Sequence, residues 1–209
     1  DRAKSELGIT SKLIMCFLRH LDEQSAFETL EAAEPWLDRI TGVGLDSSEM
    51  GRPPSLFTGV FTRAARLGLK RVAHAGEEGP PEYVCEALGL LGVDRIDHGN
   101  RALEDEVLVR RLVEEEVPLT VCPQSNLRLA VIKDMAEHPI REMLRLGLNA
   151  CVNSDDPAYF GGYMNENFNA LIDKTGLTRD EIFTLIINGF ESSFLTRDEK
   201  QVHLDRIQA

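Results

Sequence analysis

His74 and Glu77 stand three residues apart, His98 follows on the next apolar run, and Asp155-Asp156 closes a later one. Imidazole nitrogens and carboxylate oxygens are the usual oxygen and nitrogen donors to a catalytic divalent ion, and a histidine beside such an ion can orient a water or take its proton. By residue type, His74 and Asp155 are candidate metal ligands and His98 a candidate for handling the water. Glu77 is left free to reach a substrate held next to the ion. Catalytic zinc commonly has three protein ligands and one open position, and it lowers the pKa of water from about 15.7 to about 7. The set therefore points to hydrolysis, with Glu77, His98 and Asp155 as the catalytic groups. Each residue alone has a plainer role: a strand-end histidine often bonds only backbone, and Asp155-Asp156-Pro157 is also a turn signature. Their common position at the ends of successive apolar runs favours chemistry.

Those runs are 13–18, 43–45, 71–73, 95–96, 118–121 and 149–152. They are short and continuous rather than alternating, which suits parallel strands covered on both faces. Helical patterns separate them. Pro53-Pro54 opens one, with Phe57, Val60, Phe61 and Ala64 on one face and Gly68 as its stop. Val84, Ala87, Leu88 and Leu91 line the next, ending at Gly92; Leu108 and Leu112 mark a third; Ile140, Met143 and Leu144 mark a fourth, stopped by Gly147. After the last strand only helices follow, with capping-box signatures at Thr178/Glu181 and Thr196/Glu199.

Such alternation predicts an α/β fold with a parallel sheet and no internal boundary, so residues 1–209 are expected to form a single domain. In a (β/α)8 barrel the loops after the strands converge on one mouth, where catalytic groups collect; eight strands and about 250 residues are typical. Six strands leave two readings, an open six-stranded sheet or a TIM-barrel-like fold lacking its first two βα units. The motifs favour the second, with these residues as the C-terminal portion of a longer enzyme.

A formal charge of -12 excludes a nucleic-acid polymer as the expected partner, since such proteins present basic faces to phosphates. No apolar run approaches the roughly 20 residues that span a bilayer, and the N-terminus has no signal-like segment. Cys16, Cys85, Cys122 and Cys151 are scattered with no C-x-x-C pair, so free thiols and a cytoplasmic location are expected.

His74-Ala75-Gly76-Glu77, Asp97-His98-Gly99, Cys122-Pro123-Gln124-Ser125-Asn126 and Asn153-Ser154-Asp155-Asp156-Pro157, in that order, resemble the metal-dependent adenosine/adenine deaminases of the amidohydrolase superfamily. The stretches 43–49, 77–83 and 157–163 are similar to the bacterial and fungal adenine deaminase branch. The resemblance covers about 13–194 and implies a zinc-dependent hydrolysis of a small aminopurine, most simply adenine to hypoxanthine and ammonia. Adenosine or an N6-substituted adenine is the alternative substrate, and a purine-binding paralogue without turnover the alternative class. His74 and Asp155 match zinc ligands, Glu77 the acid that protonates purine N1, His98 the residue that orients or deprotonates the water, and Asp156 the carboxyl group on N7. Gly44, Ser47 and Glu49 match the substrate-binding loop. A serine at 47, where adenosine deaminases carry glycine, implies preference for the free base. The family's His-x-His pair has no counterpart here. Of the other histidines, His20 is expected to be structural, and His138 and His203 to lie on the surface. The H-x-E and P-C-x-x-C motifs of cytidine-type zinc deaminases are missing.

Overall fold

Short apolar stretches that stop at polar loops pair side by side in chain order. The computed structural model describes residues 2–208. Its strands are β1 (Leu13–Leu18), β2 (Ile40–Asp46), β3 (Lys70–Ala75), β4 (Arg95–His98), β5 (Pro118–Val121) and β6 (Asn149–Val152). They form one sheet in the order β1-β2-β3-β4-β5-β6, with every neighbouring pair parallel. Parallel neighbours taken in sequence order require crossovers that all run the same way, the winding of a barrel wall. Among the described residues the wall stays open between β1 and β6. Register carries the site: Ala75 lies opposite His98, and Val121 opposite Val152, so the strands release their loops at one edge.

The helices are α1 (Arg2–Leu7), α2 (Glu23–Ala33), α3 (Thr58–Arg66), α4 (Pro81–Glu86), α5 (Glu106–Glu114), α6 (Pro123–Arg128), α7 (Ile140–Arg145), α8 (Pro157–Phe160), α9 (Met164–Thr175), α10 (Arg179–Glu191) and α11 (Arg197–Gln208). The apolar stripe of α3, Val60, Phe61 and Ala64, is buried. Phe61 meets Phe17 of β1 edge-on at 5.9 Å, a favoured aromatic geometry. Asp105 caps α5 by accepting from the amides of Val107 and Leu108. The expected capping boxes form at Thr178/Glu181 and at Thr196/Glu199.

Several boundaries differ from the apolar pattern. Strands β2, β3 and β4 run on to Asp46, Ala75 and His98, because pairing with the neighbouring strands continues after the apolar run has stopped. Helix α2 rests on Ala26, Leu30 and Ala33, two of them too small for a search by large apolar residues to register. His138, expected at the surface, is only 5% exposed; its Nδ1 accepts from the amide of Ile140. His203 stacks on Phe190 with centroids 4.7 Å apart.

The C-terminal helices divide their work. Helix α9 packs on α6, and α10 packs on β6 with Asn188 Nδ2 donating to the Ala150 carbonyl at 2.8 Å. Beyond α10, Phe194 lies across the opposite edge of the sheet, under the cations of Lys70 and Arg95 at 5.7 and 4.9 Å. No helix among the described residues is long and apolar enough to cross a membrane, and the four cysteines are free.

Candidate active site

Three residues just past alternate strands adopt left-handed backbone that non-glycine residues avoid: Ser47 (φ 80°) after β2, His98 (φ 70°) closing β4, and Asp155 (φ 56°) after β6. Each such residue costs of order 1–3 kcal/mol, and strain of this kind persists where the surroundings over-determine it. All three are among the residues singled out for chemistry.

His74 and His98 meet there with rings nearly perpendicular and centroids 4.7 Å apart. His98 Nδ1 is 3.4 Å from Glu77 Oε1, and Asn126 Nδ2 donates to the same oxygen at 3.2 Å. Glu77 is only 8% exposed. Burial pushes its carboxyl up to about 7, against the opposing pull of His74; Asp155, Glu49 and Glu78 add to the rise. Burial holds His98 well below the usual histidine range, with His74 adding to the effect. Near neutral pH the site thus pairs a carboxyl group that can carry a proton with an imidazole held in its neutral form.

Donor atoms cluster around this pair. Those of His74, Glu77 and His98 lie within 4.8 Å of one another, and so do those of His98, Cys122 and Asp155. Asp46, at the end of β2, places Oδ1 3.4 Å from His74 Nε2. Imidazole and carboxylate donors gathered at an open mouth, with His98 Nδ1 buried and lacking an aligned partner, fit a divalent ion of the zinc type. Cys122 is a poorer donor, because burial drives its thiol well above the usual range.

The expected substrate contacts separate into two groups. Asp156 is exposed beside Asp155 at the mouth, and Ser47 Oγ lies 2.8 Å from His20 Nδ1 on the same rim. Gly44 sits deeper, where an added Cβ would press on Cys16 Sγ and Val72. Glu49 is 1% exposed, and both its oxygens accept backbone amides of the loop 76–79. Three of its acceptor positions are therefore taken by that loop. Residue type alone passes over Asp46, although it ends β2 as His98 ends β4, and gives Asn126 no stated partner. It also offers no hint that Arg19, wholly buried, donates to the carbonyls of Arg52 and His74.

The adenosine deaminase family profile matches residues 1–209. The chain belongs to that family. It is 60% identical over 209 residues to a protein named adenine deaminase from Caulobacter vibrioides, a match that takes in 100% of this chain and 61% of the relative. The crystal structure of adenine deaminase from Arthrobacter aurescens superposes with a TM-score of 0.97 at 50% identity, covering 99% of this chain and 63% of that one. An amidohydrolase from Burkholderia ambifaria with bound Zn superposes with a TM-score of 0.90 at 28% identity, covering 99% of this chain and 60% of that one. The chain thus spans about three-fifths of the length of these family members. The parallel wall of strands with helices outside is the α/β, TIM-barrel-like arrangement expected of the family.

Proposed function

We propose that this chain carries the proton-handling half of a hydrolytic aminopurine deaminase, with adenine as substrate and hypoxanthine and ammonia as products. The observation that carries the reading is the juxtaposition of a buried carboxyl group, Glu77, with the imidazole of His98, beside His74 and at the mouth where Asp155 also stands. Relatives named adenine deaminase at 60% identity favour the free base.

His74 and Asp155 would hold a zinc ion, with the remaining ligands supplied from outside these residues. Zinc so held supplies a water that ionises near neutral pH. Glu77 donates its proton to purine N1, which makes C6 electrophilic. His98 orients the attacking water and takes its proton. Addition of water at C6 gives a tetrahedral carbon; the proton held by His98 passes to the amino group so that ammonia leaves, and the C6 hydroxyl proton goes to Glu77, restoring its acid form and leaving the N1–C6 amide of hypoxanthine. Asp156 hydrogen-bonds N7, donating to its lone pair when protonated or accepting from the N7–H tautomer when ionised. Ser47 crowds the edge from which a ribose would extend, and a site built around such polar contacts discriminates strongly. The reaction needs a small purine and no nucleic-acid polymer, consistent with the acidic surface; free cysteines fit a cytoplasmic setting.

The test is ammonia release from adenine and from adenosine, side by side, with metal determined on the same sample. Turnover of adenine with about one zinc per chain is the expected result for a complete single-zinc site. Turnover of adenosine in preference to adenine would reassign the substrate. Purine binding without turnover or metal, in a protein that includes the family's remaining length, would replace the enzyme reading by a binding one.

A further inference from the structure

We propose that Glu49 is a positioning residue: its carboxylate clamps the loop 76–79 and thereby aims Glu77 at the reaction centre, without touching substrate. The catalytic part of this inference rests on the proposed deaminase reading; the clamp itself does not.

The geometry is convergent. Glu49 Oε2 accepts from the amides of Gly76 and Gly79, both at 3.0 Å, and Oε1 accepts from the amide of Glu77 at 2.9 Å. A carboxylate gathering three backbone N–H groups is a fixed anion in a small nest, and charge-assisted bonds of this kind are the strong ones. The clamp is reciprocated from the other loop. Glu78 Oε2 accepts from Ser48 Oγ at 3.0 Å and from the Glu49 amide at 3.2 Å. Adjacent glutamates on one loop thus point opposite ways, Glu78 back to the β2 loop and Glu77 toward His98.

The loop's carbonyls are held from the far side. The Arg101 amide donates to the Gly76 carbonyl at 2.8 Å, and Arg101 Nη1 to that of Glu78 at 2.7 Å. The segment is therefore strung between the β2 loop, which takes its amides, and the segment after β4, which takes its carbonyls. Arg19 completes the support one residue earlier, holding the His74 carbonyl at 2.7 Å. Space enforces the arrangement too: a Cβ on Gly79 would fall on Glu49 Oε2 and the Tyr83 ring. Glu77 must keep one oxygen within reach of both His98 and Asn126. Its own amide is one of the three that Glu49 holds, so release of the clamp frees that oxygen to wander.

Glu49→Gln in the full chain tests this with two readouts. The first is amide exchange, which reports local opening. Exchange at Gly76, Glu77 and Gly79 should quicken by about tenfold or more while amides of β3 and β4 keep their rates. Unchanged exchange at the three amides, or uniform quickening across the sheet, would overturn the clamp. The second is adenine turnover, where kcat should fall about tenfold or more with KM nearly constant, because misplacement costs rate rather than ground-state binding. In a Glu77→Gln background the same change should cost less than about twofold, since residues acting through one another are not additive. Additive losses, or a change confined to KM, would make Glu49 a substrate contact or an independent group. If Glu49→Gln does not fold, Glu49→Asp keeps the charge, shortens the reach and carries both measurements. Absence of adenine turnover in a wild-type protein that includes the family's remaining length would overturn the deaminase reading, while amide exchange would still decide the clamp.

Discussion

A carboxyl group raised by burial beside a histidine lowered by it is the central property at the scale of single residues. Glu77 sits close to neutrality because burial penalises its charged form more than His74 stabilises it. If its protonated form donates to N1, kcat/KM falls as pH rises through about 7. A profile with no group titrating between about 5 and 8 would contradict that role. Glu77→Gln removes the transferable proton and keeps the shape; kcat should drop by about 10²–10⁴, the usual worth of a general acid. Ser47 carries a different consequence. At φ 80° a glycine is unstrained where serine is not, so Ser47→Gly should cost little stability despite losing the contact with His20. It should raise adenosine use relative to adenine in paired kcat/KM measurements, and an unchanged ratio would remove Ser47 from the specificity argument.

At the scale of elements, short loops between rigid strands set positions that residue type alone does not. The turn from β3 to α4 contains Gly76 at φ 71°, where a Cβ would strike Val84, and Gly79, packed against a carboxylate and a ring. Gly79→Ala should destabilise the protein by about 1–3 kcal/mol through overpacking, seen as a fall of Tm by about 2–4 °C for each kcal/mol in a chain of this size. A variant with unchanged Tm would mean that the turn relaxes freely. The helices after β6 depend on caps instead. Thr178 and Glu181 satisfy each other's backbone amides, and Thr178→Ala should cost about 1 kcal/mol.

Taken whole, the molecule is a curved wall with the candidate site on one edge and a C-terminal brace on the other. Phe194 reaches from the end of α10 to the starts of β3 and β4, where Lys70 and Arg95 lie over its ring. Arg95 also pairs with Asp97 at 2.9 Å, and Thr120 donates to the same carboxylate, so this polar layer links three neighbouring strands to the C-terminal segment. Phe194→Ala should lower Tm while leaving the exchange rates of amides 76–79 nearly as they were. Loosening at the mouth would show that the two edges are coupled.

Pattern in the chain suffices for the α/β class, the six strands, the capping boxes and the cluster of His74, Glu77, His98 and Asp155, because strand ends and helix caps are local features. It also singles out Ser47 and Glu49, but cannot tell which of them is closed off by a neighbouring loop. That depends on which loop lies next door: Glu49 meets the amides of residues 27 to 30 positions away, and nothing in its own neighbourhood announces them. His138 is misplaced on the surface for the same reason, since a polar residue beside a proline gives no sign of the packing that covers it. The strain at Ser47, His98 and Asp155 likewise appears only in the folded chain. Residue type determines what each group can do; parallel register, which brings distant loops to one edge, decides which groups do it together.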